Sequence, residues 1–569
     1  MKKLSKAIYV LSLLIFLGCN DDFLDTPPQD SISEGIIWSD ESLVRAYHTS
    51  LYNSIYHGFG IHMLSKVTDE AFCAINWDVG NIPYGTLTPD NVTSMASWQW
   101  HSGANLYIWN SAYQWIRRIN VFIEKMNADD AIDFADKPRL IAEAKFLRAY
   151  TYFLLIERFG GVPIVENSFD LGVEHLFSRS SFDQCVEFIE KDLTEAFPHL
   201  TKRYASNDAN FGRATQDAAQ ALRSRMYLYS ASPLFNPSND QSRWQKAADA
   251  SEALLDAGYE LHPNYTTLFN QPTGSPNNEM IFVRPFASVW PGYHEAPMHN
   301  LNRRYGAYGG WWASNGPSQN LVDDYDMANG EPPFIYPGGV KTVNPASGYD
   351  PQQPYVNRDP RFYATIIYDG ANYHGDTHEM WVASDGESWG FDSYRQSGDN
   401  PRTNYVLRKF MPDEGVPIAW GERYTNPWII FRLGEIYLNY AEAMFELGDE
   451  DACREYISKV RARVGMPPIP ATVTGEELRR RLYNERRIEL AFEEHRYWDV
   501  RRWKIAMDVE NRPIFGMDII KDVNTGVKTY TPVQLLERTF YERMHLLPIE
   551  ANEVRRNPEL TQTPGWESN

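Results

Sequence analysis

Apolar residues recur at helical spacing in the last third of the chain. Between 433 and 445 they occupy one face of a helix, at Leu433, Ile436, Tyr437, Tyr440, Ala441, Met444 and Phe445. This i, i+3, i+4 ladder predicts an amphipathic helix that ends at Gly448. A second helix follows, with apolar residues at Ile457, Val460 and Val464, and ends near Gly465. The spacing therefore predicts two antiparallel helices joined by a short turn.

Earlier parts of the chain show the same kind of pairing. The patterns predict helices over 106–126, 137–159, 182–197 and 215–230. Residues 150–156 are apolar nearly all round, which predicts a helix buried between neighbours. Leu433-Gly434-x-x-Tyr437 is similar to the first helix of a tetratricopeptide repeat, although the partner helix does not keep the repeat's spacing. The predicted fold class is mostly α, with tetratricopeptide-like helical hairpins.

The pattern changes between about 260 and 425. Gly, Pro, Asn and Trp become frequent, and the apolar runs shorten to pieces such as 281–283 and 365–367. We expect long loops with a few short strands here, mounted on helices at about 40–260 and 425–510. Loops of this length are usually functional, so this part is the predicted ligand-binding face.

The first residues have the pattern of an export signal. Three lysines precede an apolar run over 7–17, which is too short to span a bilayer as a mature helix. Gly18-Cys19 resembles a bacterial lipobox, in which Cys19 is acylated and becomes the mature N-terminus. The alternative is an ordinary signal peptide with an incidental cysteine. The prediction is a lipoprotein signal peptide at 1–18 and a single domain at 19–569, anchored to a membrane through Cys19.

Charge and cysteine content exclude several classes of function. The formal net charge of −21 argues against binding nucleic acid. Besides Cys19, the chain has Cys73, Cys185 and Cys453, with no CxxC spacing. We expect buried thiols rather than a disulfide scaffold or a zinc site. No cofactor is predicted.

Aromatic residues in the loop-rich parts are the strongest candidates for ligand contacts. Aromatic rings stack on the C–H face of a sugar, while polar side chains bond its hydroxyls. The candidates beside glycine, proline or polar residues are Trp77, Asp78, Trp98, Trp100, Trp290, Tyr293, Trp311 and Trp312. The alternative is that each lies in the core or faces a protein partner. The tryptophans on helical patterns, which we expect in the core, are Trp109, Trp115, Trp498 and Trp503.

Other clusters of reactive residue types are better explained as structural. Arginines and glutamates alternate over 479–503, at spacings that allow ion pairs along helix faces. Asp323 and Asp324 are adjacent, so their side chains point in different directions and cannot flank one glycosidic bond. The 294–299 stretch is superficially similar to HExxH, but its second histidine comes one residue late and Pro297 interrupts the helix. No metal site is predicted there or at 374–379.

Seven stretches together resemble the SusD/RagB family of surface nutrient-binding lipoproteins. They are CNDDFLDTPP at 19–28, AEAKFLRAYTYFLLIERFGGVPI at 142–164, GRATQDAAQALRSRMYLYSASPLF at 212–235, PSQNLVDDYDMANG at 317–330, RDPRFYATIIYDG at 358–370, NERRIELAFEEHRYWDVRRW at 484–503 and LPIEANEVRRNPELTQTPGW at 547–566. The resemblance implies a helical scaffold with a loop-rich ligand face. It also implies a partner, a SusC-like TonB-dependent outer-membrane transporter, which the lipoprotein covers as a lid. Ligand contacts in this family come mostly from about 70–105 and 285–325, and an acidic stretch after the cysteine accompanies display on the cell surface.

The resemblance makes a non-catalytic glycan-binding lipoprotein the leading hypothesis. It would capture oligosaccharide or polysaccharide at the outer membrane, facing the cell exterior, and deliver it to the transporter. A second hypothesis keeps this role with peptide cargo, as in the RagB branch. A third is a surface glycoside hydrolase, which needs two carboxyl groups about 5–10 Å apart in a cleft.

Overall fold

The computed structural model describes residues 34–72, 79–95, 105–169, 175–289, 292–306, 313–419 and 421–567. Within these ranges the α-helices are α1 (Glu34–Ile37), α2 (Glu41–Leu51), α3 (Trp109–Asn127), α4 (Lys137–Phe159), α5 (Phe182–Ala196), α6 (Gln216–Ala231), α7 (Gln241–Leu255), α8 (Thr267–Asn270), α9 (Ala296–Asn300), α10 (Gln319–Asp324), α11 (Pro360–Thr365), α12 (Leu433–Glu446), α13 (Glu450–Arg463), α14 (Gly475–Glu489), α15 (Arg496–Arg502), α16 (Ala506–Val509) and α17 (Ala551–Arg556). The prediction of a mostly helical protein is confirmed. No helix in the described ranges is both long and apolar enough to cross a membrane.

The strands are short and form several small sheets. They are β1 (Ala71–Phe72), β2 (Met280–Arg284), β3 (Gly316–Pro317), β4 (Phe334–Ile335), β5 (Thr342–Val343), β6 (Ile366–Ile367), β7 (Asn372–Tyr373), β8 (Asp376–Thr377), β9 (Val382–Ala383), β10 (Val406–Leu407), β11 (Trp428–Arg432), β12 (Ile514–Lys521) and β13 (Lys528–Leu536). The antiparallel pairs are β1–β3, β2–β11, β4–β5, β6–β10, β7–β8 and β12–β13, and β9 adds to β12 in parallel.

The predicted helix boundaries agree closely with the long helices. The helix predicted over 137–159 is α4, which has Pro138 in its first turn and ends before Gly160 at φ 74°. All residues from 150 to 156 are buried, as their apolar character predicted. The predicted hairpin is α12 followed by α13, and Gly448 at φ 91° makes the turn.

A large apolar core runs from α2 to the C-terminal residues and joins the helices to the short strands. Cys185 and Cys453 are free thiols buried in the apolar clusters, as predicted. Cys73 lies outside the described residues.

The arginine- and glutamate-rich segment forms a buried network of ion pairs. The prediction that these residues form a structural ion-pair network is confirmed. Pairs along a helix face are present, as between Arg502 and Asp499 on α15 (2.9 Å), and further pairs join different elements. Glu489 in α14 accepts hydrogen bonds from Arg432 in β11 (2.7 Å) and Arg361 in α11 (3.1 Å). Both partners lie on other elements, distant in sequence from α14. The buried charges therefore join separate elements, in addition to the exposed pairs along the face of α14, such as Arg480 with Glu477 at 2.6 Å.

Candidate functional site

Most residues predicted to contact ligand lie outside the described part of the chain. These are Trp77, Asp78, Trp98, Trp100, Trp290, Trp311 and Trp312, together with the lipidation candidate Cys19. Tyr293 is described and half-buried. The guanidinium of Arg423 lies 5.4 Å from the centre of the Tyr293 ring, and Arg423 also donates to the Ser288 carbonyl at 2.8 Å. Tyr293, which follows the 290–291 segment by two positions in sequence, is thus held in a cation–π contact.

The residues that flank these segments converge on one loop, residues 55–67, which we call the anchor loop. Asn315 follows the 307–312 segment closely. Its side chain accepts a hydrogen bond from the Met63 amide (3.1 Å) and donates to the Ile61 carbonyl (3.2 Å). Asn105, which directly follows the 96–104 segment, lines the same small cavity as Leu64. The described residues next to the 96–104 and 307–312 segments therefore both lie against the anchor loop.

Short strands bring two further flanks together. In the β1–β3 pair, Phe72 lies opposite Gly316. Phe72 precedes the 73–78 segment, and Gly316 comes soon after 307–312. Ser318 completes the junction because its amide donates to the Glu70 carbonyl (2.8 Å) and its hydroxyl to the Asp69 carbonyl (2.6 Å). The end of β1 and the start of β3 are thus fixed side by side at Phe72 and Gly316.

An aromatic cluster holds the anchor loop against the core. The Phe59 ring stacks on His294, with 4.1 Å between centroids, and contacts Phe286 and Trp428 at 5.8 and 5.1 Å. Burial lowers the pKa of His294 to about 3, so its imidazole is neutral at physiological pH. The neutral ring donates from Nε2 to Asn426 Oδ1 at 2.8 Å. Because His294 is fixed in this way, the neighbouring Tyr293 is positioned as well.

Ion pairs fix Asp69, which follows the anchor loop in sequence, to the helices α14 and α15. The Asp69 carboxylate accepts from Arg487 Nη1 (2.5 Å) and Arg496 Nε (2.9 Å). Burial alone would raise the pKa of Asp69, but the two guanidinium groups outweigh burial and hold this pKa well below its ordinary value. Arg487 also pairs with Asp324 at 2.9 Å, whereas Asp323 pairs with Lys341. The two adjacent aspartates face different partners, as expected from their spacing.

Among the described residues, no group of three or more His, Cys, Asp or Glu side chains could hold a metal ion. His378, in the 374–379 stretch, contacts the Tyr305 hydroxyl at 2.8 Å. Burial lowers the pKa of His378 to about 4.

The tryptophans assigned to the core lie there with one exception. Trp109, Trp498 and Trp503 are 4–7% exposed. Trp115 is only half-buried, and the guanidinium of Arg118 lies 4.8 Å from its ring centre. Placing Trp115 in the core was wrong because it lies at the edge of the buried face of α3, where a long side chain covers the ring instead.

Comparison with known proteins gives the family of this fold. The model of the SusD family matches residues 278–566. The chain belongs to the SusD family. A second family model, described as starch-binding and associating with the outer membrane, matches residues 22–228. The resemblance found in the sequence is confirmed.

Individual relatives in the SusD family match along nearly the whole chain. SusD-like protein P25 from Formosa agariphila is 25% identical, over 99% of this chain and 98% of its own length. A SusD-like protein from Bacteroides fragilis has a solved structure with 28% identity and a TM-score of 0.76, covering 95% of this chain and 100% of that one. A SusD-like carbohydrate-binding protein from the same species has 27% identity and a TM-score of 0.73, covering 92% and 100%.

This SusD-family chain also carries exposed aromatic residues that the sequence did not single out. Trp389 and Phe391 are 39% and 44% exposed. They flank Gly390 in the loop-rich part, in a W-G-F sequence similar to the glycine-flanked pattern of the predicted candidates. That pattern could have found them.

Proposed function

We propose that this SusD-family protein is a cell-surface lipoprotein that binds oligosaccharide or polysaccharide and delivers it, without catalysis, to a SusC-like TonB-dependent transporter. The observation that carries the proposal is the convergence of the flanks of 73–78, 96–104, 290–291 and 307–312 on the anchor loop and its neighbours β1 and β3. These segments hold the tryptophans predicted to stack on sugar rings. The starch-binding description of the matching family and the carbohydrate-binding structural relative support a glycan ligand.

The proposed ligand contacts are Trp77, Asp78, Trp98, Trp100, Trp290, Tyr293, Trp311 and Trp312. Aromatic rings supply apolar faces for the sugar C–H groups, and Asp78 supplies an acceptor for hydroxyls. Residues 1–18 are removed on export, and residues 19–569 form one domain that Cys19 anchors by lipid to the outer membrane, facing outward. Such an anchor lets the protein move as a lid over the transporter. A soluble ligand-binding form lacking residues 1–19 is therefore expected.

The proposal is tested by titrating residues 20–569 in a calorimeter with starch, laminarin, xylan and a tryptic casein digest. Saturable binding of at least one polysaccharide is expected, with no product by chromatography. Binding of the peptides alone would replace glycan by peptide cargo. Release of shorter sugars, abolished by a single carboxylate-to-amide change, would show an enzyme and overturn the proposal.

The residues are tested by alanine at Trp77, Trp100, Trp290, Trp311 and Trp312, singly. Loss of a stacked ring should weaken binding about tenfold, or ~1.4 kcal/mol, for the tryptophans that contact the glycan. Trp115→Ala is the matched control, since Trp115 is a half-buried tryptophan on α3 with no role in the proposed site. Unchanged affinity in all five variants would disprove the aromatic site.

A further inference from the structure

Trp389 and Phe391 form an exposed aromatic pair on a short antiparallel ribbon. The backbone bonds of this ribbon run from Ala383 to Ser388 (2.8 Å), from Gly390 to Trp381 (2.9 Å) and from Asp392 to Glu379 (2.9 Å). Trp389 pairs with Val382 in the ribbon, and Phe391 is the second residue of a turn in which the Ser393 amide donates to the Gly390 carbonyl at 3.1 Å. Both residues are partly exposed at the end of the ribbon, Trp389 by 39% and Phe391 by 44%. We call them the 389/391 pair.

Both rings are fixed by neighbouring polar groups. The Trp389 indole donates from Nε1 to Gln396 Oε1 at 2.7 Å. The guanidinium of Arg304 lies 4.8 Å from the centre of the Phe391 ring. Arg304 is itself held by Asp392, with Nε to Oδ1 at 2.9 Å and Nη2 to Oδ2 at 2.6 Å. The pair is thus arranged before any ligand arrives, which lowers the entropy lost on binding.

Gly390 allows the close strand contact beneath the pair. A Cβ at this position would lie 2.2 Å from the Glu379 carbonyl oxygen, closer than any real contact. Only glycine therefore permits the chain between Trp389 and Phe391 to pass this close to Glu379. The two large apolar rings thus flank Gly390, the residue whose missing side chain allows this close approach.

The surroundings of the pair fit a sugar better than a protein surface. Exposed aromatic patches mark binding sites, and the residues bordering this one are charged or amide-bearing: Arg304, Asp376, Gln396 and Glu379. Asp376 is 51% exposed on its side chain and pairs with Arg304 at 3.3 Å. A small apolar platform with polar groups at its rim matches the C–H face and the hydroxyl edge of a pyranose ring.

The turn at 303–305 links the pair to the sequence of the proposed glycan site. Arg303 donates to the Gln396 carbonyl at 3.3 Å, and Tyr305 follows in the same turn. Gly306 then leads directly to residue 307, where one of the tryptophan-bearing segments begins. The turn at 303–305 thus contacts the groups beside the 389/391 pair and, in sequence, shortly precedes the 307–312 segment of the proposed glycan site.

We infer that the 389/391 pair is a second carbohydrate contact, which stacks on the outer residues of a glycan chain already held at the proposed site. The inference rests on the proposed function and adds a chain-length preference to it. Two linked contacts on one ligand act cooperatively through effective concentration. A trisaccharide that fills the proposed site should gain nothing from the pair, whereas a long chain that reaches both contacts should bind more tightly.

The test compares wild-type protein with a Trp389→Ala/Phe391→Ala double variant by calorimetry. The probes are maltotriose with amylose, laminaritriose with laminarin, and xylotriose with xylan. For the glycan type that the wild-type protein binds, the variant should bind the polysaccharide at least tenfold more weakly and the trisaccharide within twofold of wild type. Tyr541→Ala, which removes another exposed aromatic ring, should leave both affinities unchanged. Trp389→Phe keeps a stacking ring and should retain most of the polysaccharide affinity.

Thermal unfolding separates an effect on binding from an effect on folding. Both rings are exposed, so the double variant should unfold within a few degrees of wild type, and Phe391→Ala alone serves where it does not. Equal polysaccharide affinity in wild type and variant overturns the second contact while leaving the proposed function standing. A wild-type protein that binds none of the six probes defeats both, and this is seen before any variant is made.

Discussion

Arg496 binds the Asp69 carboxylate through two hydrogen bonds, Nε to Oδ1 at 2.9 Å and Nη2 to Oδ2 at 3.0 Å, although the two residues are 427 positions apart. Arg487 adds a third bond to the same carboxylate. All three side chains are buried. One carboxylate thus joins the C-terminal helices α14 and α15 to the backbone that leads into β1, and so to the anchor loop.

Asp69→Asn should strongly destabilise the protein. The amide keeps the size of the side chain but leaves two buried guanidinium groups facing a neutral partner, which costs about 3–5 kcal/mol. Urea unfolding monitored by circular dichroism measures the loss. Asp324→Asn is the control, because Asp324 pairs with Arg487 but is 35% exposed, so water can replace the lost bond. Equal losses in the two variants would contradict the structural importance given to Asp69.

Glu70→Gln should change how stability depends on pH. Glu70 is 1% exposed, and neither carboxyl oxygen has a hydrogen-bond partner among the described residues. Burial raises the pKa of Glu70 to about 8, against the opposing charges of Arg487, Arg496 and Lys409 and with the help of Asp69. Between the ordinary pKa of 4.5 and about 8, the unfolded chain loses this proton first, so the free energy of unfolding falls as pH rises.

The amide cannot ionise and therefore escapes this loss. We expect Glu70→Gln and wild type to have similar stability at pH 5, and the variant to be more stable by about 2 kcal/mol or more at pH 8. Denaturant titrations at the two pH values measure the difference. Glu387→Gln, at an exposed glutamate, gives the baseline for exchanging carboxylate for amide. A pH-independent difference between Glu70→Gln and wild type would show that Glu70 does not carry this effect.

Gly58→Ala should displace the anchor loop. A Cβ at Gly58 would lie 2.3 Å from the Trp428 ring and 2.9 Å from Glu494 Oε1. The overpacking should cost about 1–3 kcal/mol and weaken glycan binding, because the loop supports the flanks of the ligand segments. Gly398→Ala is the matched control, since an added methyl group meets nothing within 4 Å there. If Gly58→Ala destabilises the protein but binds glycan normally, the anchor loop does not position the site.

Cys19→Ala should separate display from binding. Loss of the acylation site removes the proposed anchor but leaves the folded domain unchanged. In the native host, antibody labelling of intact cells should disappear, while the purified variant should bind glycan as wild type does. Growth on the glycan should be impaired. Persistent surface labelling would show that another feature holds the protein at the membrane.

The scaffold could be predicted from sequence because the apolar pattern of a helix is local in the chain. The apolar period of 137–159 and the hairpin around Gly448 each lie within a continuous stretch, and their predicted ends agree with α4, α12 and α13 to within two residues. The exposure of Trp115 could not be predicted from the helical pattern. A helical period indicates which face is buried, but not that Arg118 would cover a ring at the edge of that face.

The site was less accessible to prediction because its geometry depends on distant pairs. Nothing local to Phe72 indicates that it pairs with Gly316, or that Asp69 meets Arg496. Composition identified the aromatic segments as candidates, and family resemblance supported them. Trp389 and Phe391 have the same local composition, but only the structure shows that both are exposed and that the turn at 303–305 contacts the groups beside both.

The links between the anchor loop and Asn315 depend on the backbone of the loop and not on its side chains. Its links to Asn315 use the amide of Met63 and the carbonyl of Ile61, main-chain groups that every residue type except proline at the amide supplies. These two links therefore do not depend on the side chains at positions 61 and 63 or on the identity of the residues in the adjoining segments. The tryptophans of the ligand segments can therefore change during evolution without altering these two links, so that the same scaffold can carry different ligand-binding residues.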